Sequence, residues 1–143
     1  MVVPDANLLI YAYQIESPQH EVAAAWLESA LASPQIIGLS WPTLWAFLRI
    51  NSNPRLWGGF EVPLDRLFDT VDEWLQLPNV VLVQPGPRHG QILREIMIES
   101  NTRGTRSTDA ALAALAIEHA ATLASTDRDF RRFSGLRWIN PLD

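Results

Sequence analysis

Short apolar runs recur along this chain with helical patterns between them, and that alternation constrains the fold more than any other feature. Met1–Asp5 is β-branched, apolar and stops at an acid. Gln35–Ser40, Val80–Val83 and Thr122–Ser125 repeat its character, and Arg137–Asn140 offers a fifth such run. Between them, Asn7–Tyr13 reads as a brief helix. Ser17-Pro18 reads as the start of a second, a capping hydroxyl ahead of a proline at the first helical position, continued by Val22, Ala23, Trp26, Leu27, Ala30 and Leu31. Trp41–Ile50 follows, with Pro42 near its start, and Leu56–Val62 with its Gly58-Gly59 pair is a loop. A stripe of Leu64, Leu67, Phe68, Val71, Trp74 and Leu75 marks a further amphipathic helix. Arg88–Ser100 and an alanine-rich Asp109–Ala121 complete the set, joined by the polar loop Asn101–Arg106. Strands alternating with helices predict an α/β three-layer sandwich around a central, mainly parallel sheet of four or five strands. The 143 residues form one domain, 1–143, long enough to bury roughly two thirds of the unfolded surface.

Composition excludes several chemistries. Cysteine is absent, which removes disulfides, thiolate metal sites and thiol nucleophiles. All 11 basic residues are arginine, so no lysine is present for a phosphate-binding P-loop, a Schiff base or a receiver-type aspartyl phosphate. The net charge of −5 disfavours bulk electrostatic binding of duplex DNA. No apolar run approaches the roughly 20 residues of a membrane span, and the first residues resemble a strand more than a leader peptide. The expectation is a soluble, cytoplasmic protein with no membrane partner.

In open α/β sheets, ligands collect beyond the carboxyl ends of the strands. Asp5 ends the first run, Asp127 follows the fourth, and Asp109 opens the alanine-rich helix. Each has an ordinary explanation: Asp5 and Asp109 as helix caps or dipole partners, Asp127 as a turn residue. Together they point to a cation, because unit charges at ~4 Å repel by ~4 kcal/mol at an effective dielectric of 20. Carboxylates without cysteine or a histidine pair favour Mg²⁺ or Mn²⁺.

Three segments carry a family resemblance: Val-Val-Pro-Asp5-Ala-Asn7-Leu-Leu, Ser-Thr-Asp109-Ala-Ala-Leu-Ala-Ala-Leu-Ala, and Leu-Ala-Ser-Thr-Asp127-Arg-Asp129-Phe. In order and spacing they resemble the PIN domain, and more narrowly the VapC toxins of type II toxin–antitoxin systems. Segments around His20, Arg49, Pro54 and Trp138 extend the similarity over nearly the whole chain. The resemblance implies a Mg²⁺-dependent endoribonuclease, with Mn²⁺ as a substitute, that hydrolyses an RNA phosphodiester using an activated water. Asp5, Asp109 and Asp127 fall on the family's metal-site acids. Asn7 matches a residue that orients the first acid, and Asp129 matches an outer carboxylate. The implied partners are RNA, a VapB-type antitoxin and a second copy of the chain.

One position departs from the family. The glutamate usually found before Phe-Leu-Arg is Ala46 here, within Trp45-Ala46-Phe47-Leu48-Arg49. The quartet of acids is thereby a trio. Ser40 and Thr43 lie near enough in sequence for water-mediated contacts, and Glu118 is too far along its helix from Asp109 to substitute. This motivates an alternative, a PIN domain with weakened cleavage that acts by binding RNA or antitoxin. An aspartyl-phosphate enzyme built on Asp5 fits poorly, since Asn7 stands where a phosphatase usually carries a second Asp. Arg103, Arg106 and Arg128, with Arg131 and Arg132, flank the acidic motifs as candidate phosphate contacts. His20, His89 and His119 sit on separate helical segments and form no ligand pair by spacing. The tryptophans read as core or interface, with Trp41, Trp45 and Trp57 grouped around one short helix and loop.

Overall fold

The computed structural model describes residues 1–143, and all five apolar runs become strands of one sheet. They are β1 (Val2–Pro4), β2 (Ile37–Leu39), β3 (Val80–Leu82), β4 (Thr122–Ala124) and β5 (Arg137–Ile139). The order across the sheet is β3-β2-β1-β4-β5, and every pairing is parallel. The strands are short because each ends where a capping residue or turn takes over: Asp5 after β1, Ser40 after β2. Six helices connect them: α1 (Ala6–Tyr13), α2 (His20–Ala32), α3 (Trp41–Asn51), α4 (Leu64–Gln76), α5 (His89–Ser100) and α6 (Ser107–Glu118).

Side-chain alternation along the strands divides the core into two. Val2, Ile37, Leu39, Val80 and Ala124 face the first layer, where Leu8 and Leu9 of α1, Leu27 of α2, Leu44 and Phe47 of α3 and Leu67 and Val71 of α4 are buried. Val3, Val83 and Leu123 face the other layer, against Ile96 of α5, Ala110, Ala113 and Ala114 of α6, and Phe130 and Phe133. The alanines keep α6 thin, so it lies close to the sheet. Gly38 serves the same end in β2: a Cβ there would stand 3.0 Å from the Met1 sulfur and 3.0 Å from Val83.

Helix α2 starts at His20, two positions later than Ser17-Pro18 suggests. The Ser17 hydroxyl accepts from the Gln19 backbone N–H and donates to the Gln19 side chain, so this segment is a turn leading into the helix, which has no side-chain cap. Elsewhere the local signals match. Ser40 accepts from the Thr43 N–H and caps α3, with Pro42 in the first turn. No helix is long and apolar enough to cross a membrane.

Candidate active site

The strand order reverses direction at β1. The chain leaves β1 towards β2 and β3, then returns through α5 and α6 to place β4 on the opposite side. Such a switch point opens a crevice at the carboxyl ends of the two central strands, and the residues following β1 and β4 are Asp5 and the segment Ser125–Asp127.

Asp5 caps α1 by accepting from the Ala6 N–H at 2.7 Å, while its own N–H continues the ladder to the Ala124 carbonyl. Its second oxygen accepts from the Ser125 hydroxyl at 2.7 Å. The fully buried Ser125 hydroxyl oxygen accepts in turn from Asn7 Nδ2 at 3.1 Å and from the Asp127 N–H at 3.0 Å. One hydroxyl therefore ties both strand ends and the first turn of α1 together. Ser125 is the site residue that sequence reasoning passes over. Its only signal is its place in Ser-Thr-Asp at the end of an apolar run. Asn7 orients Asp5 through Ser125 rather than by direct contact.

Asp109 lies in the first turn of α6, and that helix start has no side-chain cap. Its carboxylate is therefore not consumed by capping. Asp127 accepts from the Asp129 N–H at 2.8 Å, so it closes a 3-10 turn (Arg128–Arg132); it does not line the cleft that Asp5 and Asp109 share. Asp129 is exposed and paired with Arg106 and, at 3.4 Å, with Arg132. The Arg106 hydrogen bond holds its carboxyl below the usual range.

A cleft of about 200 Å³ is lined by Asp5, Ala6, Pro42, Thr43, Ala46, Thr108, Asp109 and Leu112. Two carboxylates from distant parts of the chain thus share one opening with the family's departed glutamate position. Burial pushes the Asp5 carboxyl up, against the pull of the Ser125 and Ala6 donors, and the charges of Asp109 and Asp127 push it further. Burial also raises Asp109; the Asp127 charge adds to this, and Arg106 and Arg132 oppose it. No three Asp, Glu or His side chains stand close enough to form a ready-made ligand set. Mg²⁺ does not need one, since it is commonly held by one or two carboxylates and keeps several waters. The paired carboxylates of the cleft, with hydroxyls of Thr43 and Thr108 on its wall, fit such a loosely ligated hard cation.

The remaining candidates are engaged elsewhere. Arg103 donates to the Asn101 side chain at 3.0 Å, and Arg128 faces Asp143 at 3.7 Å. Glu118 lies at the far end of α6 and accepts from the Gly86 and Arg88 N–H groups at 2.8 and 2.9 Å, so it does not replace the missing acid. His20 and His119 bond to backbone carbonyls, and His89 faces Glu118. A second concavity, about 960 Å³ between the end of α1 and the 56–63 loop, brings together no pair of carboxylates; Glu16 is its only acid. Asp5 and Asp109 come together only in the other cleft.

A parallel sheet of this order, with acids gathered at the β1–β4 switch point, defines a PIN-like fold, and the PIN domain family matches residues 2–136; the chain belongs to that family. It is 40% identical over 142 residues, covering 99% of each chain, to Ribonuclease VapC33 of Mycobacterium tuberculosis. That relationship places it among the VapC ribonucleases. Two solved structures share the fold. VapBC2 from Rickettsia felis, bound to a DNA fragment from their promoter, superposes with a TM-score of 0.69 at 16% identity, covering 98% of each chain. Mycobacterium tuberculosis VapC20, described as a sarcin-ricin loop cleaving toxin, gives 0.66 at 14% identity, covering 96% of this chain and 99% of that one.

Proposed function

We infer that this chain is the toxin of a type II toxin–antitoxin pair and hydrolyses RNA phosphodiesters at the Asp5–Asp109 cleft with a divalent cation, Mg²⁺ or Mn²⁺. The observation that carries this reading is the convergence of Asp5 and Asp109 on one cleft, within reach of the Asp127 charge, at the switch point of the sheet. Asp5 and Asp109 would hold the cation, with Asp127 adding negative potential. When bound, it supplies a lowered pKa for water and charge stabilisation for the scissile phosphate.

The chain's own residues do the positioning. Ser125 fixes the rotamer of Asp5 and the backbone of Asp127 at once, and Asn7 holds Ser125. Asp129 draws Arg106 towards the acids, where its charge moderates that of Asp109. Arg106 and Arg132, whose charges act on Asp109, would be the first contacts for a polyanion, with Arg103 and Arg128 as outer candidates from the sequence. The VapBC2 likeness supports a VapB-type antitoxin as partner, and self-association remains part of the reading on the family resemblance.

Purified protein should cleave structured RNA with Mg²⁺ and lose that activity with EDTA. Asp5→Asn, Asp109→Asn and Asp127→Asn should each abolish cleavage while the circular dichroism spectrum stays native. Full activity in any two of the three would remove the assignment. Ala46 favours a second reading, an RNA- or antitoxin-binding PIN domain with feeble cleavage. Tight RNA binding by wild type with no cation-dependent product at any Mn²⁺ concentration would select it.

A further inference from the structure

The family resemblance casts Asp129 as an outer carboxylate of the cation site, yet its side chain faces two guanidinium groups. Arg106 donates to Asp129 Oδ2, and Arg132 Nη2 stands 3.4 Å from the same oxygen. The two arginines come from separate turns, Gly104–Arg106 ahead of α6 and Arg128–Arg132 after β4. Asp129 does not line the cleft that Asp5 and Asp109 share.

Two features mark this meeting of charges as an anion subsite rather than a structural ion pair. The first is that the arginines are under-used. Arginine commonly grips a carboxylate with two parallel bonds, one to each oxygen. Here both guanidinium groups converge on one oxygen, and the Arg106 side chain bonds nothing else. Arg132 is also held independently of the Asp129 carboxylate, since its Nε donates to the Asp129 backbone carbonyl at 3.1 Å. The second feature is access and place. The Arg106 and Asp129 side chains are 50% and 47% exposed, and an ion pair that water reaches is weak enough to exchange for another anion. Both guanidinium charges act on Asp109, so the pair stands beside the acids proposed to hold the cation. A phosphodiester carries the same single negative charge as Asp129 and offers two diverging oxygens, one for each guanidinium.

We propose that Arg106 and Arg132 form a subsite for one phosphate flanking the scissile bond, and that Asp129 fills it in the free protein as a place-holder rather than serving the cation. This rests on the ribonuclease reading and adds to it a second phosphate contact and a built-in competitor for that contact. When RNA binds, the phosphate takes both guanidinium groups and the Asp129 carboxylate turns out to water. Its backbone N–H and carbonyl stay bonded to Asp127 and Arg132, so the turn itself does not have to move.

The test uses the full chain in saturating Mg²⁺ with a labelled structured RNA, kcat and KM being measured separately. Arg106→Ala and Arg132→Ala should each raise KM about 10-fold, the scale of one charge-assisted hydrogen bond lost, and leave kcat little changed. Asp129→Asn keeps the shape of the side chain but removes the competing charge. It should lower KM by about 2-fold to 5-fold, the worth of an exposed ion pair. In a chain that already carries Arg106→Ala and Arg132→Ala, adding Asp129→Asn should change KM no further. Without RNA, Mn²⁺ should raise the melting temperature of Asp129→Asn as much as that of wild type. A KM raised by Asp129→Asn, or a smaller Mn²⁺ shift in that variant, overturns the proposal. So do arginine variants that lose kcat alone, or that lose antitoxin binding with KM intact. In each of those cases wild type still cleaves RNA and the ribonuclease reading stands. A wild type that neither binds nor cuts RNA removes both.

Discussion

Ala46 is the residue that separates the two proposed readings of the site. It is half-buried and lines the cleft with Asp5, Thr43 and Asp109, while its neighbour Trp45 points to solvent. A longer side chain at 46 therefore enters the cleft rather than the core, and glutamate suits a helix. Ala46→Glu is expected to lower the Mg²⁺ concentration for half-maximal cleavage, measured in titrations beside wild type. A folded variant that needs as much Mg²⁺ or more would show the trio to be complete. Ser125 is the second decisive residue. Ser125→Ala strips a buried hydroxyl from Asp5, Asn7 and the Asp127 N–H together, and leaving such groups unpaired costs about 1–3 kcal/mol. Thermal melting should fall by ~2–4 °C per kcal/mol for a domain near this size, and cleavage should fall with it. The carboxylates were legible in the sequence because acids that end strands are unusual. Ser125 was not, since a serine at a strand end carries no signal until the hydrogen bonds around it are seen. Trp41 and Trp45 were legible only as core or interface, because helical spacing alone does not say which face of α3 meets the sheet.

Among the elements, the junction of α5 and α6 shows a helix start supplied by another helix. No side chain of its own caps α5. Glu118, at the end of α6, instead accepts from the Gly86 and Arg88 N–H groups, with His89 beside it. A Cβ on Gly86 would lie 2.6 Å from a Glu118 oxygen, so a larger residue there would have to displace that carboxylate. The Gly86 N–H is the largest influence holding the Glu118 carboxyl below its usual range. A carboxylate lowered in the folded state contributes stability above its unfolded pKa, about 4.3, and loses it as pH falls through the folded value. Glu118→Gln should therefore melt below wild type at pH 7, and the gap should narrow as the pH is taken below about 4. A gap that is constant with pH would mean the carboxylate charge plays no part. Helix boundaries were readable to within a few residues because caps and prolines act locally. The Ser17 turn was misread because serine before proline serves a turn as well as a helix start. Cross-element partners such as Glu118 have no sequence signal at all, since 32 positions separate it from Gly86.

At the scale of the molecule, alternation of strand and helix established the three layers, but the order β3-β2-β1-β4-β5 depends on which side of β1 the chain returns to. With that choice α6 packs its small residues over Val3 and Leu123, and Asp5 and Asp109 come to line one cleft. The fold thus accepts a cluster of acids whose mutual repulsion and burial raise the Asp5 and Asp109 carboxyls. Raised pKa values mean that the native state holds these protons more tightly than the unfolded chain. Ionisation costs stability as pH rises from the unfolded value through the folded values. A cation bound in the cleft, as proposed, would reverse the sign of that cost. The most direct test is the melting temperature of wild type and Asp109→Asn at pH 7, each with EDTA and with saturating Mn²⁺. With EDTA, the variant should melt at or above wild type. Ligand at 100 times its dissociation constant adds ~2.7 kcal/mol, so Mn²⁺ should raise wild type by about 5–10 °C and leave the variant nearly unmoved. A metal-free variant that melts well below wild type, or equal Mn²⁺ shifts in both proteins, would contradict a cation site at Asp5 and Asp109.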